Sequence, residues 1–441
     1  MVTLGVMLIS LLFTSSALGS TLMVGEGGDF MTIAGAIDAS MDGDTIEVGP
    51  GTYPELIEPN GKAITIRATA GPTDTIITGN GTGTIWLNNG ETSETVISGF
   101  TVQGDGHTCI YIAGGSPHLE NLVVDGCGAD DGVYGGGAQV IAADPTFRAV
   151  TFQNNRAEEA GALYSSDSSD IRIEDGIFSA NHAQYGGALS AVDSVLILVS
   201  THFEFNQAEF GQAGALYLQN SVVDIEASHF DTNQATLAGG AVLADLGSLN
   251  ISSMSTFTSN SSSFGDGGAL RLTRLSSLSI SDTDFTSNSA GGSGGAASLS
   301  DITGAEISYA LLSDNRSGVG GHGGALSLEY TGATINTCTL DSNQSDNSGG
   351  AIRLASSDLI ASDLTISGNQ SSNIGGGIAA QGGSLHISAT EFQRNVGVAG
   401  GGAISTAAIE TTVTSTRFED NESTGGNGGA LLLSGVEATL S

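Results

Sequence analysis

Residues 257–270 read FTSNSSSFGDGGAL, and this stretch holds two short motifs that recur along the chain. Phe257 and Asn260 form an FxxN motif, and residues 267–270 form a GGAL motif whose GGA core keeps the same step. A unit repeated at a fixed period of this size indicates a solenoid. The FxxN frames return every 25 to 28 residues and end at Asn155, Asn181, Asn206, Asn233, Asn260, Asn288, Asn315, Asn343, Asn369, Asn395 and Asn421.

Each repeat alternates apolar and polar residues on both sides of its motifs. Leu278 and Ile280 precede Phe285 with one residue between them, and Leu270 and Leu272 show the same spacing after a GGA motif. A period of two predicts strands, and the repeats show neither helix caps nor a 3.6-residue period. We therefore predict about three short strands per repeat, joined by turns rich in Gly, Ser and Asn.

A parallel β-helix accounts for all of these features, so we predict an all-β solenoid. About 14 coils stacked at about 4.8 Å would give a rod about 70 Å long. Equivalent residues then lie above one another, so that Ile, Leu and Phe columns fill the interior. The asparagine column passes side-chain amide hydrogen bonds from coil to coil, and glycine allows tight turns and close layers. The asparagines are therefore interpreted as a structural ladder.

The N-terminal region, residues 24–104, lacks the two motifs. Asp29 is a candidate N-cap for a short helix within residues 30–40, which would place Ile33 and Ile37 on one face. We expect this helix to cover the first apolar layer, because an open end would expose a sheet edge. Strands are predicted near residues 63–67, 75–78 and 95–102.

The chain divides into three predicted segments. Residues 1–19 are interpreted as a secretion signal, because an apolar run, Leu4–Phe13, precedes small residues with an A-x-G pattern; a buried first strand is the alternative. Residues 20–95 are assigned to the cap and first coils. Residues 96–441 are assigned to the β-helix, regular from about residue 150 and expected to be truncated at the C-terminus. We therefore predict a secreted protein, extracellular or on the outer-membrane surface of a bacterium, without a transmembrane helix after signal removal.

The charge of the chain limits its partners. Asp and Glu outnumber Lys and Arg by 47 to 11, which gives a net charge of -36. A charge of this sign argues against nucleic acid and against anionic membrane surfaces. It favours solubility, cation binding or basic partners.

The three cysteines, Cys109, Cys127 and Cys338, do not make a disulfide framework. Cys109 and Cys127 lie somewhat less than one repeat apart, so they are either a disulfide between neighbouring coils or two unpaired core residues. No CxxC motif or His/Cys set indicates zinc.

Two stretches resemble known families. The run from residue 30 to residue 57 is similar to the opening of pectin-lyase-like right-handed β-helix proteins, which implies a capped right-handed helix. That opening is shared by enzymes and non-enzymes, so it implies a fold and no activity. The matching positions are Thr32, Ile33, Ala36, Ile37, Gly43, Asp44, Ile46, Val48, Gly51 and Tyr53.

The second resemblance covers residues 150–433, roughly two thirds of the chain. The paired FxxN and GGA motifs resemble the polymorphic outer membrane protein repeats, which are defined by these two motifs. The resemblance implies a surface-displayed passenger with adhesive or host-contact roles. Its partner would be a host or cell-surface receptor or a polysaccharide.

The irregular early coils hold the candidates for chemistry, since loops there can carry function. Acid–base catalysis on a polysaccharide would need carboxylates or a histidine converging on one groove. A cation site or plain solvation are the alternatives for these residues. The candidate catalytic residues are His107, Asp125, Asp130 and Asp131, with Asp105 and His118 nearby in the sequence.

Three further features of the sequence are candidates for a functional role. Asp42 and Asp44 are candidate calcium ligands, but no EF-hand or nonapeptide spacing appears, so we expect at most weak calcium binding and no other cofactor.

The GHG motif at residues 321–323 is interpreted as an ordinary turn before GGAL. Arg271 and Arg353 occupy the same slot between two apolar residues, and stacking should bring both to the outer face of one sheet.

We predict a non-enzymatic, adhesin-like surface protein that presents a long rigid face. A polysaccharide lyase or glycoside hydrolase on the same fold, acting on acidic polysaccharide, is the alternative. A structural spacer for a further C-terminal domain is a third. An enzyme should show convergent acids in a groove, whereas an adhesin should show an extended exposed strip.

Overall fold

The computed structural model describes residues 19–81, 83–104, 106–129, 132–435 and 438–441. These residues form a parallel β-solenoid of about 16 turns. The expected number of about 14 was slightly low. The first coils are unequal in length: Ile46 pairs with Ile66, 20 residues later, and Ile66 pairs with Ile97, 31 residues later. Residues 1–18 of the predicted secretion signal lie outside the described residues.

Three sheets run along the solenoid, and the largest of them contains two strands from each regular coil. The strands that follow the GGA position are Ile85–Leu87, Ile110–Ala113, Ala138–Ile141, Leu163–Ser166, Leu189–Val192, Leu270–Thr273, Ala297–Ser300, Leu326–Glu329, Ile404–Ala407 and Leu431–Ser434. The strands that precede the FxxN position are Thr21–Val24, Thr45–Val48, Thr65–Ala68, Val96–Ser98, His118–Glu120, Thr146–Arg148, Asp170–Glu174, Val195–Val199, Ser277–Ser281, Ala305–Ser308, Gly332–Asn336, Glu410–Thr414 and Ala438–Leu440. In four coils the two strands fuse into one of 11 residues, namely Leu216–Glu226, Val242–Ser252, Ile352–Ser362 and Ile378–Ser388.

The other two sheets contain shorter strands. The sheet of the FxxN position consists of Gly51–Tyr53, Thr75–Ile77, Thr101–Gln103, Val123–Asp125, Thr151–Gln153, Ile177–Ser179, His202–Glu204, His229–Asp231, Ser255–Thr258, Thr283–Thr286, Leu311–Ser313, Thr339–Asp341, Thr365–Ser367, Glu391–Gln393 and Arg417–Glu419. The sheet that follows the asparagine consists of His182–Tyr185, Gln207–Gln212, Gln234–Ala235, Ser261–Ser262, Ser289–Ala290, Arg316–Ser317, Gln344–Ser345, Gln370–Ser371, Val396–Gly397 and Glu422–Ser423. A regular coil thus has up to four strand segments in three sheets, rather than three.

The phenylalanine column forms the centre of the hydrophobic core. Phe257 is fully buried, and its ring stacks on Phe230 with centroids 4.6 Å apart and on Phe285 with centroids 4.9 Å apart. Both spacings match the distance between stacked strands, so parallel rings fill the column without gaps. Leu312, Leu340 and Ile366 continue it as buried aliphatic residues.

The asparagine column forms a continuous chain of hydrogen bonds. The Asn260 side-chain amide donates to the Phe230 carbonyl at 2.9 Å and to Asn288 Oδ1 at 3.1 Å. The backbone N–H of Asn260 donates to the same Asn288 oxygen at 3.0 Å. The bonds between successive asparagines recur from Asn155 to Asn421. Buried amides on this turn are therefore satisfied by the coil above and the coil below.

The paired glycines are required by close backbone contacts. Gly267 has φ +72, and a Cβ there would lie 2.1 Å from the Leu270 carbonyl oxygen. A Cβ on Gly268 would lie 2.0 Å from the carbonyl oxygen of Gly295 in the next coil. The turn at Gly267 and Gly268 thus has no space for a side chain, which explains its GG pair.

The predicted N-terminal helix spans Ile33–Ala39, and its buried residues include Ile33 and Ile37. Its N-cap is Thr32, whose Oγ1 accepts from the Gly35 N–H at 3.2 Å, so the prediction of Asp29 was wrong. The backbone N–H of Phe30 donates to the Met23 carbonyl, so the helix begins only after this residue. The Asp29 carboxylate accepts from the Met23 N–H instead of capping the helix. An N-cap must directly precede the first helical turn.

Charged side chains hold both ends of this helix. The Glu55 carboxylate accepts from the N–H groups of Ile33 at 3.1 Å and Ala34 at 2.9 Å. Lys62 Nζ donates to the carbonyl of Ile37 and, at 2.9 Å, to that of Ser40. These contacts satisfy terminal backbone groups that a short helix leaves free.

The three early strands were predicted approximately. The structure has strands at Thr65–Ala68 and Thr75–Ile77. The predicted strand at residues 95–102 is two strands, Val96–Ser98 and Thr101–Gln103, in different sheets. Gly99, with φ +83, lies at the corner between them. A period of two continues across a corner, so alternation alone does not reveal it.

Of the two interpretations of the early cysteines, the structure shows the disulfide. Cys109 and Cys127 are bonded and both are buried in the core. The two bonded residues are 18 apart in the sequence, which is less than one repeat. Cys338 is buried and unpaired.

Candidate functional site: an aromatic strip on the outer face

The strands that follow the GGA position present one outward column of side chains. Pairing from strand to strand aligns Trp86 with Tyr111, Tyr111 with Gln139 and Gln139 with Tyr164. The column continues from Tyr164 to Ser190 and from Ser190 to Tyr217. These residues sit between two inward-facing positions, because successive side chains of a strand point to opposite faces.

A second column lies beside the first. It consists of the residue that directly precedes the GG or AG pair of each turn. Bridges align Tyr134 with Glu159 and Glu159 with Tyr185, and Tyr185 aligns with Gln212. The rings connect the two columns. Tyr134 and Tyr164 are 5.3 Å apart between centroids, and Tyr185 and Tyr217 are 5.7 Å apart.

Together the columns give one aromatic ring on each of six consecutive coils. We call Trp86, Tyr111, Tyr134, Tyr164, Tyr185 and Tyr217 the aromatic strip. The whole chain has one Trp and eight Tyr, so most of these residues lie on this one face. Such a concentration on a regular surface indicates binding rather than folding, since none of the six rings belongs to the buried core.

The N-terminal end of the strip borders a cavity of about 400 Å³. Trp86, Tyr111 and Tyr134 line it together with His107 and Gln139. His107 Nε2 is buried and has no hydrogen-bond partner among the described residues. Aromatic walls with a few polar groups are the usual composition of a ligand site.

Glu159 is the carboxylate at the centre of the strip. Its Oε1 accepts from Ser190 Oγ at 2.6 Å. Burial raises the pKa of Glu159, and the nearby Glu158 raises it further, while the Ser190 hydrogen bond lowers it. Burial also raises the pKa of Tyr164 and of Tyr217, and the charge of Glu159 adds to both shifts. Glu159 is therefore a partly desolvated charge among tyrosines.

The sequence-predicted catalytic candidates do not meet in this structure where it describes them. His107 borders the cavity of the aromatic strip, whereas Asp125 lines a different cavity of about 370 Å³ and accepts from Asn154 Nδ2 at 2.9 Å. His118 lies in the largest sheet, between Val96 and Thr146, whereas Asp125 belongs to the sheet of the FxxN position. Asp105, Asp130 and Asp131 lie outside the described residues.

The two candidate calcium ligands bind backbone N–H groups. Asp44 accepts from Ser20 at 2.6 Å and from Met41 at 2.8 Å, and Asp42 accepts from Ala63 at 2.9 Å. The Met41 and Ser20 bonds lower the pKa of Asp44. Within the described ranges, no group of three or more His, Cys, Asp or Glu residues is arranged to hold a metal ion.

His322 of the GHG motif lies in the turn before GGAL, as its sequence context indicated. Its carbonyl accepts from the Gly294 N–H at 2.9 Å, and its N–H donates to Ser293 Oγ at 3.1 Å. Burial and the Arg353 charge lower the pKa of His322, although Asp266 opposes them. The side-chain amide nitrogen of Asn347 lies 3.4 Å from His322 Nε2.

Arg271 and Arg353 lie in the outward column, as predicted from their shared slot. The pairing runs from Arg271 through Ser298 and Ser327 to Arg353. The column is therefore aromatic in the early coils and carries these two cations in the later ones.

Sequence reasoning did not identify the aromatic strip, although a signal existed. Trp86, Tyr111 and Tyr217 each stand between two apolar residues, in IWL, IYI and LYL. This is the slot that the two arginines share. Recognising it in the early coils required strand register, because FxxN is not established there.

Comparison with known families identifies the fold. A model of the right-handed beta helix region matches residues 76–261. A model of the Chlamydia polymorphic membrane protein repeat matches residues 363–381, which contain the frame ending at Asn369. The chain folds as a right-handed parallel β-helix, and residues 363–381 are similar to a polymorphic membrane protein repeat. These matches agree with both sequence resemblances and bear out the handedness.

Solved structures with similar folds differ in activity. The A-module of the mannuronan C-5 epimerase AlgE4 of Azotobacter vinelandii is 14% identical, with 93% of this chain and 94% of that chain covered and a TM-score of 0.24. PfbA, a surface adhesin of Streptococcus pneumoniae, is 11% identical, with 92% and 87% covered and a TM-score of 0.25. A PL6 family alginate lyase, AlyGC, is 11% identical, with 96% and 99% covered and a TM-score of 0.24. At these values the likeness is no guide to function.

No curated protein sequence matches this β-helix protein. Among the described residues, no helix has the length and apolar character needed to cross a membrane.

Proposed function

We propose that this protein is an exported, non-enzymatic surface protein of adhesin type, and that its aromatic strip binds a glycan chain lengthwise. The observation that carries the proposal is the presence of one aromatic ring on each of six consecutive coils. A pyranose ring has an apolar C–H face, which packs on an aromatic ring while its hydroxyls stay in water. The polymorphic membrane protein repeat supports a surface role.

The spacing of the strip also fits a glycan. Stacked coils repeat at about 4.8 Å, close to the roughly 5 Å that one residue of an extended β-linked polysaccharide spans. Successive sugars can therefore meet equivalent surfaces on successive coils. Gln139 and Ser190 lie between rings of the first column, and Gln212 follows Tyr185 in the second; these side chains offer hydrogen-bond donors and acceptors to hydroxyls.

A glycan array with five variants tests the proposal. Replacing Tyr111 or Tyr164 with Ala should weaken binding about fivefold each, because a packed ring contributes about 1 kcal/mol. The two sites are two coils apart, so the double variant should lose about 25-fold. Tyr309→Ala and Tyr330→Ala are matched controls, since both side chains are exposed outside the strip. Equal losses in strip and control variants, or no glycan binding by the unchanged protein, would refute the proposal.

A polysaccharide lyase or glycoside hydrolase remains the second candidate, and Glu159 is the observation that favours it. Burial raises the pKa of this carboxyl, as in general acids of glycosidases. The bound glycans should be checked for shortened products by chromatography. Depolymerisation that is lost in Glu159→Gln would establish the enzyme and contradict the non-enzymatic proposal.

A further inference from the structure

The aromatic strip contains a slot at Ser190. In the outward column the large Tyr164 and Tyr217 flank this small side chain, two coils apart from each other. At one coil per 4.8 Å, the two tyrosines are separated by about 10 Å. The partner rings Tyr134 and Tyr185 stand beside them at centroid distances of 5.3 and 5.7 Å. The slot thus lies between two pairs of tyrosines.

The floor of this slot is a carboxylate. Glu159 lies between Tyr134 and Tyr185 in its own column, and its Oε1 accepts from Ser190 Oγ at 2.6 Å. The side chain therefore reaches across from one column to the other. Among the described residues, no side chain donates a hydrogen bond to its second oxygen, which leaves that oxygen able to accept one from a ligand.

The groups that face this carboxylate do not neutralise it. Glu158 raises its pKa, and no cation within the described part of the chain contributes to that pKa. Tyr217 is also affected by the charge of Asp245. The local field is therefore negative, in agreement with the net charge of the chain. A partly buried, unpaired carboxylate is costly, and a ligand that supplies a positive charge would relieve that cost.

We propose that the Glu159 slot binds the protonated amino group of an amino-sugar polymer. Aromatic faces attract a cation through their quadrupole, and the carboxylate supplies the opposite charge. The inference rests on the proposed glycan-binding function and specifies its ligand. An acidic polysaccharide would instead meet Glu159 and a strongly negative protein. Arg271, the first arginine of the column, lies two coils beyond Tyr217.

Two oligomers that differ only in acetylation test this assignment. We compare glucosamine and N-acetylglucosamine hexamers by calorimetry at about pH 6, which lies below the ordinary pKa of an amine. The unchanged protein should bind the glucosamine hexamer about tenfold more tightly. Glu159→Gln should remove this preference and keep the affinity for the acetylated hexamer. Tyr309→Ala should leave both affinities unchanged.

The outcomes separate the two proposals. A retained preference in Glu159→Gln, or no preference in the unchanged protein, overturns the amino-group assignment while aromatic-dependent binding of the acetylated hexamer still supports glycan binding. Tetramethylammonium tests the slot without any glycan: it should shift the NMR signals of Tyr164 and Tyr217, and the shift should disappear in Glu159→Gln. No shift overturns the assignment. Tighter binding of an oligolysine than of the glucosamine hexamer would overturn it in favour of a basic protein partner.

Discussion

Asn260 shows how much one side chain contributes to the repeat. Its Oδ1 accepts from both the backbone N–H and the amide of Asn233, each at 3.0 Å, and its own amide donates to Phe230 and Asn288. All of these partners are buried with it, so none of them can turn to water instead. The residue is therefore a junction between three coils, and its chemistry is fully used by the fold.

Replacing Asn260 with Ala should lower the free energy of unfolding by about 1–3 kcal/mol, because it leaves the Asn233 N–H buried without an acceptor. Chemical denaturation followed by circular dichroism measures the change. Asn250→Ala is the matched control: this amide lies in a strand and bonds the Asp224 carboxylate, and we expect a change of about 0.5 kcal/mol or less. Equal effects in the two variants would contradict a special role for the ladder.

Glu159 is a residue whose role the sequence did not reveal. The sequence places it before an AGAL version of the turn motif, like many other polar residues on an acidic chain. What distinguishes it is its position between two tyrosines in the neighbouring coils. That position depends on the register of stacked strands, which a single sequence does not display.

The repeat units show which elements a sequence can predict. The residue types of Phe257 and Asn260 recur because every coil needs the same contacts. The sequence period alone therefore predicts the ladder and the core column. The N-cap was missed because Asp29 and Thr32 are both good caps by residue type. Only the pairing of Phe30 with Met23 decides between them.

Two phenylalanines seven residues apart test the difference between the core column and the surface. Phe257 is fully buried, whereas the side chain of Phe264 is 77% exposed. Phe257→Ala should destabilise the protein by about 3–5 kcal/mol, since it opens a cavity in a stack of rings. Phe264→Ala should change the free energy of unfolding by no more than about 0.5 kcal/mol. Chemical denaturation of both variants measures the difference between their midpoints. Similar midpoints would show that the stack of rings does not stabilise the coils.

Along the full solenoid, the residue types of the outward column change, whereas the interior columns stay apolar. The core keeps its Ile, Leu and Phe columns from the early coils to the late ones. The outer face begins with Trp86 and Tyr111 and later carries Arg271 and Arg353. Folding constrains the inward positions of every coil, whereas outward positions are free to serve binding. For that reason the fold was predictable from the repeat, and the aromatic strip was not.

The dependence of affinity on glycan length tests the binding of a chain along the strip most directly. The strip extends over five steps between Trp86 and Tyr217, or about 24 Å, which corresponds to roughly five sugar residues. We predict that the affinity for a homologous series of oligosaccharides rises with each added residue up to about five and then levels off. The rise should be much smaller in the Tyr111→Ala, Tyr164→Ala double variant. Affinity that is already maximal at one or two residues, or an unchanged series in the double variant, would contradict the account.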